Sequence, residues 1–126
     1  MLSSHTPMIT LATADPERSR AFYEGVLGMT PGEEFGGGVA YQAGDTRVFV
    51  YPSSFAGTNQ ATAAAFELPG DVFDAEVQAL RDAGVEFDTF EVEGMTWVDG
   101  VADMDGMRNV WFRDPDGNIL NVGTRG

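Results

Sequence analysis

A chain of 126 residues, 43% hydrophobic and 11% aromatic, has the size of one ordinary globular domain and can bury a real core. It has no cysteine, so a disulfide framework, a thiolate nucleophile and a cysteine-type zinc site are excluded; a net charge of -13, with seven arginines and no lysine, excludes a concentrated basic patch for phosphates. No apolar run approaches the roughly 20 residues of a membrane span, and the first residues, Met1-Leu2-Ser3-Ser4-His5, lack the basic start and apolar stretch of a signal peptide. The expectation is a soluble, cytoplasmic protein with neither nucleic acid nor membrane as partner.

In chain order, Met8-Ile9-Thr10-Leu11-Ala12-Thr13 reads as a short strand. Asp15 as N-cap and Pro16 at the first helical position then start a helix. Ala21, Phe22, Val26 and Leu27 recur in it at helical spacing, and Gly28 is its expected stop. Three strands are expected over 29–35, 39–43 and 47–51, broken by Gly36-Gly37-Gly38 and Gly44-Asp45. The order is βαβββ.

After a polar, small-residue stretch over 52–60, the order begins again. A strand is expected over 61–68, then a helix started by Asp71 and running to about Asp82, with Val72, Ala75, Val77 and Leu80 as apolar positions and Gly84 as stop. Asp15 and Asp71 are 56 residues apart, as are Gly28 and Gly84, so cap and stop repeat with one offset. Strands are expected over 85–92, 109–112 and 118–122, with a long Gly- and Met-containing loop over 93–108 that is either functional or a surface insertion. The chain thus reads as a single domain, 1–126, of two pseudo-repeat modules over about 7–52 and 61–124.

Two stretches carry a family likeness. Residues 15–29, with Asp15, Ser19, Phe22, Tyr23, Leu27 and Gly28, resemble the first-helix pattern D-x-x-x-S-x-x-F-Y-x-x-x-L-G of the glyoxalase/bleomycin-resistance/dioxygenase (vicinal oxygen chelate) superfamily, and Phe112-Arg113-Asp114-Pro115-Asp116-Gly117-Asn118 resembles its F-x-D-P-D-G-N hairpin. The resemblance implies an α+β fold in which two βαβββ modules form a curved mixed-sheet cup. It also implies, for the enzymes of the group, a divalent metal held by His or Gln side chains and Glu carboxylates at matching strand positions. Those positions fall here on Met8, whose thioether is no ligand for a hard divalent ion, on Ala63 or Ala64, which cannot coordinate, and on Phe49 and Asn121, neither of which is a carboxylate. His5, the only histidine, lies about 10 Å from Met8 along an extended strand and on its opposite face. No metal, cofactor or catalytic residue is expected.

Strand alternation assigns Ile9, Leu11, Val48, Val50, Val110, Phe112, Leu120 and Val122 to the helix-packed face. Met8, Thr10, Arg47, Phe49, Tyr51, Asn109, Trp111, Arg113 and Asn121 then face the cup, and Trp97, Met95, Met104 and Met107 in the long loop either close over it or plug the core. The expected ligand-binding set is Met8, Arg47, Phe49, Tyr51, Trp97, Met104, Trp111, Arg113 and Asn121, an aromatic and polar lining suited to a planar or extended organic molecule; the same aromatics would also suit a closed sheet interface or a dimer contact. Members of the superfamily without metal ligands resemble bleomycin-type resistance proteins, which implies a homodimer sequestering a small organic molecule or antibiotic. The acidity, with fourteen of twenty acids between Glu67 and Asp116, either attracts a cationic guest or serves solubility, while Arg47 and Arg113 would make the cup locally positive. Two other readings stay open: a lyase, isomerase or dioxygenase with an atypical site, for which Tyr41 and Tyr51 are the most reachable donors, and a dimeric interaction module.

Overall fold

In the computed structural model, which describes residues 1–124, the alternating segment after Met8 forms strand β1 (Ile9–Thr13), burying Leu11 and Thr13. Helix α1 (Pro16–Arg20) starts where its signals predict: the Asp15 carboxylate accepts the Arg18 N–H at 3.2 Å, with Pro16 in the first turn. It runs into a π-helical stretch, Ala21–Val26, in which the Leu27 N–H donates to the Phe22 carbonyl five residues back. Gly28, at φ +68°, ends it in the left-handed region that glycine adopts without strain. The buried stripe of this helix is Ser19 and Tyr23, one residue away from the expected Phe22, which is half-buried, and Ala21, which is exposed.

Strands β2 (Pro31–Phe35), β3 (Gly38–Ala43) and β4 (Thr46–Pro52) complete a four-stranded sheet of order β1-β4-β3-β2, with β1 and β4 parallel and the other pairs antiparallel. The D-P-D-G-N turn belongs to the same compact unit, Met1–Asn59 with Pro115–Asn118. Asp116 Oδ1 accepts the Ala14 N–H at 2.8 Å and an Arg18 guanidinium N–H at 3.1 Å, and the Asn118 amide donates to the Ala12 carbonyl at 2.9 Å.

The second unit, Gln60–Asp114 with the residues from Ile119, repeats the parallel pair in a five-stranded sheet. Its elements are β5 (Thr62–Glu67), α2 (Gly70–Asp82), β6 (Thr96–Val98), β7 (Val101–Met104), β8 (Met107–Arg113) and β9 (Ile119–Gly123), in the order β5-β9-β8-β7-β6. The fold is α+β, two mixed sheets with few helices. Leu11, Val48, Val50, Val110, Phe112, Leu120 and Val122 are buried, as the alternation predicts, while Ile9 is half-buried. Among the described residues no helix is long and apolar enough to cross a membrane.

The second unit departs from expectation in three places. Helix α2 begins at Gly70 with Pro69 at its N-cap, so Asp71 lies in the first turn instead of capping it, and the 56-residue repeat holds for the stops Gly28 and Gly84 (φ +89°) but not for the caps. Its buried residues are Phe73 and Val77, whereas Val72 and Ala75 are exposed. No strand forms over 85–92: only Asp88 bridges to Trp111, and 93–108 contains the β6–β7 hairpin in place of a loop. β8 has one edge left after pairing with β9, and β7 takes it over Asn109 to Met107.

Candidate ligand-binding site

The residues expected to line a site divide between the two sheets. In the first unit β4 alternates Val48 and Val50 inward with Arg47, Phe49 and Tyr51 on the opposite face, and Phe49 pairs with Thr10 on β1 and Ala40 on β3. Phe49 and Tyr51 stack nearly parallel, centroids 5.7 Å apart, and Phe35, which the sequence reading missed, stacks on Phe49 at 4.4 Å and 6°. Gly38 is required beneath them, because a Cβ there would lie 2.8 Å from the Phe49 ring. Met8 is half-buried just before β1.

On β8, Val110 and Phe112 point inward, leaving Asn109, Trp111 and Arg113 on the other face with Asn121 and Ile119 of β9. The β6–β7 hairpin carries Trp97 to this face through the register Trp97–Ala102–Asn109, and the same alternation puts Met104 there. Trp97 and Trp111 lie 6.0 Å apart, and Phe90, also missed, meets both edge-on at 5.3 and 4.9 Å. Trp97 is therefore a half-buried member of an aromatic cluster on a strand, not a lid residue on a loop, and its buried indole N–H has no hydrogen-bond partner among the described residues. Phe90 and Trp111 border a cavity of about 410 Å³ with Gln60, Thr62, Asp88 and Arg113, and Trp97 borders one of about 430 Å³ with Glu91, Glu93 and Met95.

The two arginines do not make these faces positive. Arg113 Nε donates to Asp88 at 2.9 Å, and Arg47 lies 3.7 Å from Glu33, so each charge is matched locally. Tyr41 is no accessible donor: its ring is buried and its hydroxyl donates to Glu24 at 3.0 Å. Burial, then that hydrogen bond to a carboxylate, hold the Tyr41 phenol well above its ordinary value. Glu24 is held below the usual carboxylate value, chiefly by the hydrogen bond from Arg20 Nε at 2.7 Å.

The positions that would hold a metal do not fit one. Phe49 is packed between two rings. Ala64 is buried opposite Leu120 and Ala63 falls at the register shift between Thr62 and Ala64, and neither side chain can coordinate an ion. Asn121 puts a neutral amide where a carboxylate is expected, and its NH₂ donates to the Asn109 carbonyl oxygen and the Val110 backbone carbonyl at 3.1 Å each. His5 is exposed after a short helical turn, Leu2–Ser4, and among the described residues no three histidine or carboxylate side chains converge.

The family model of the Glyoxalase/Bleomycin resistance protein/Dioxygenase superfamily matches residues 5–122. No curated protein matches the chain. Among solved structures it is similar to the integron cassette protein VCH_CASS1 from the mobile metagenome of V. cholerae, with 26% identity and a TM-score of 0.67 over 100% of this chain and 98% of that one. It is similar also to the fosfomycin resistance protein FosX from Mesorhizobium loti, with 16% identity and a TM-score of 0.67 over 97% and 92% of the two chains. A glyoxalase/bleomycin resistance protein/dioxygenase from Alicyclobacillus acidocaldarius gives 12% identity and a TM-score of 0.71 over 95% and 90%. The last two likenesses concern the fold alone.

Proposed function

The chain belongs to the Glyoxalase/Bleomycin resistance protein/Dioxygenase superfamily, and on that premise we propose that it binds a small organic molecule without a metal, on the outward face of its second sheet, as a sequestering protein. The observation that carries this reading is the cluster of Phe90, Trp97 and Trp111 beside a cavity of about 410 Å³. That volume suits a drug-sized guest, for which flat apolar walls supply burial and a few polar groups fix orientation. Thr62, Gln60 and the Asp88–Arg113 pair are those polar groups. The second unit holds thirteen acids against four arginines, a net of -9, which favours a cationic guest through the long-range field. A cationic antibiotic is one such guest.

Two measurements test the proposal. Titration of the tryptophan fluorescence with planar cationic antibiotics should give saturable quenching and a raised melting temperature, since a ligand bound only to the folded state stabilises it. Trp111→Ala should weaken that binding by roughly 2 kcal/mol, about 30-fold, as truncating a central aromatic anchor does. Unchanged affinity would reject the site. Elemental analysis of the purified protein should show no stoichiometric iron, manganese, nickel or zinc; finding one would reject metal-free binding.

A further inference from the structure

At the other end of the same sheet face lies a separate cavity of about 240 Å³, lined by Ala65, Glu67, Met107, Asn109, Asn121 and Thr124 among others. From its amide geometry we infer that this cavity is a hydrogen-bonding subsite for a neutral lactam or carboxamide group, one that offers an N–H donor and a carbonyl acceptor together. The inference rests on the reading that this face binds a small organic molecule, and it names the polar group that molecule carries.

The orientation of both amides follows from one backbone contact. The Val110 carbonyl can only accept, so the Asn121 group 3.1 Å from it is the NH₂. The other hydrogen of that NH₂ points to Asn109 at 3.1 Å, so Asn109 must present its carbonyl oxygen there. Each amide is then half used. Asn121 Oδ1, an acceptor, and Asn109 Nδ2, a donor, make no hydrogen bond to any described residue, and both side chains line the cavity. Two rigidly held neutral groups of opposite hydrogen-bonding sense select a guest with the complementary pair. A site built to hydrogen-bond a guest rejects the analogue lacking the group, because its own polar atoms would be left unpaired. Gly123 keeps the pair in place, since a Cβ there would lie 2.1 Å from Asn109 Oδ1.

The test uses the full chain and fragment probes, read by the side-chain amide signals of Asn109 and Asn121 in nitrogen-15 correlation spectra. 2-Pyridone should shift both signals saturably, and N-methyl-2-pyridone, which lacks the donor, should bind at least about tenfold more weakly. Asn109→Asp keeps the oxygen that Asn121 needs but replaces the free donor with a second acceptor. It should weaken 2-pyridone by about tenfold and strengthen benzamidine, a cationic double donor. Gly123→Ala, which displaces the Asn109 amide with both asparagines present, should abolish the discrimination between the pyridones. Equal binding of the two pyridones to the unaltered protein, which needs no variant to fold, overturns the inference. So does an Asn109→Asp protein with unchanged preferences. Indole, read at the Trp111 signal, separates the two readings: indole binding without pyridone discrimination removes the lactam subsite and leaves the aromatic site. Pyridone discrimination with Trp111 unmoved by indole does the reverse.

Discussion

Glu24 receives a hydrogen bond from Arg20 at 2.7 Å and another from the buried Tyr41 hydroxyl at 3.0 Å, and this arrangement sets two limbs of the pH dependence. Because the folded state lowers the Glu24 pKa from 4.5, its stabilising contribution is complete above that value and is lost as pH falls through the folded value. The Tyr41 pKa is raised above 10.0, so its contribution is complete below 10.0 and is lost as pH climbs beyond it. Urea unfolding at a series of pH values should therefore show a shallower acid limb in Glu24→Gln and a shallower alkaline limb in Tyr41→Phe. A second residue prediction concerns Asp116, whose side chain is 2% exposed and accepts from Ala14 and Arg18. Asp116→Ala should cost about 2 kcal/mol in urea unfolding, the range for hydrogen bonds to a buried charged group. The turn chemistry of Asp114-Pro115-Asp116-Gly117 is legible locally. That Asp116 ties down the start of a helix 102 residues earlier is not, because a turn signature says nothing of its distant partner.

At the scale of elements, the β6–β7 hairpin decides the aromatic site, because it carries Trp97 to Phe90 and Trp111. Its turn, Asp99-Gly100, has φ of +51° and +79°, the two left-handed residues of a type I′ turn whose twist matches the strands it joins. Asp105-Gly106 makes the same turn between β7 and β8, at +53° and +84°. Both Asp-Gly pairs are strong hairpin signals in the sequence, but strands of three and four residues are too short for alternation to stand out, so 93–108 reads as a loop. The converse error, a strand over 85–92, has a competitive cause: β7 occupies the β8 edge, and Asp88 keeps one bridge, its N–H donating to the Trp111 carbonyl at 2.8 Å. The hairpin is further held by Arg81 of α2, which donates to the Asp99 carbonyl and lies over the Phe87 ring at 5.4 Å. Gly100→Ala puts a side chain at a left-handed position, 3.3 Å from Phe87 Cβ. It should cost about 1–2 kcal/mol in urea unfolding and shift tryptophan emission to the red as Trp97 loosens. Unchanged emission and stability would show that the turn does not hold the cluster.

For the whole molecule, the recurrence of strand, helix and stop glycine is readable, since stop glycines and alternating strands are local signals, whereas the parallel pairing of β1 with β4 and of β5 with β9 joins residues too distant in the chain for such signals to reach. The division of the binding set was not readable: Phe49 and Tyr51 share one sheet face, Trp97 and Trp111 another, and parity alone cannot tell which sheet a strand joins. Charge acts at this scale too. A net of -13 on 126 residues is self-repulsion that weakens the folded state wherever screening is poor. The Debye length falls from about 30 Å in 10 mM salt to about 8 Å at physiological ionic strength, so the repulsion among dispersed acids is largely screened over that range. Salt weakens the ion pairs as well, but pairs such as Arg20–Glu34, with side chains 38% and 64% exposed, contribute little to begin with. The melting temperature should therefore rise by a few degrees between about 10 and 150 mM sodium chloride, and the second unit, with -9 of the charge, should gain most. Hydrogen exchange resolved by residue would locate that gain in β5–β9, and a melting temperature that fell with salt would mean the ion pairs outweigh the net repulsion.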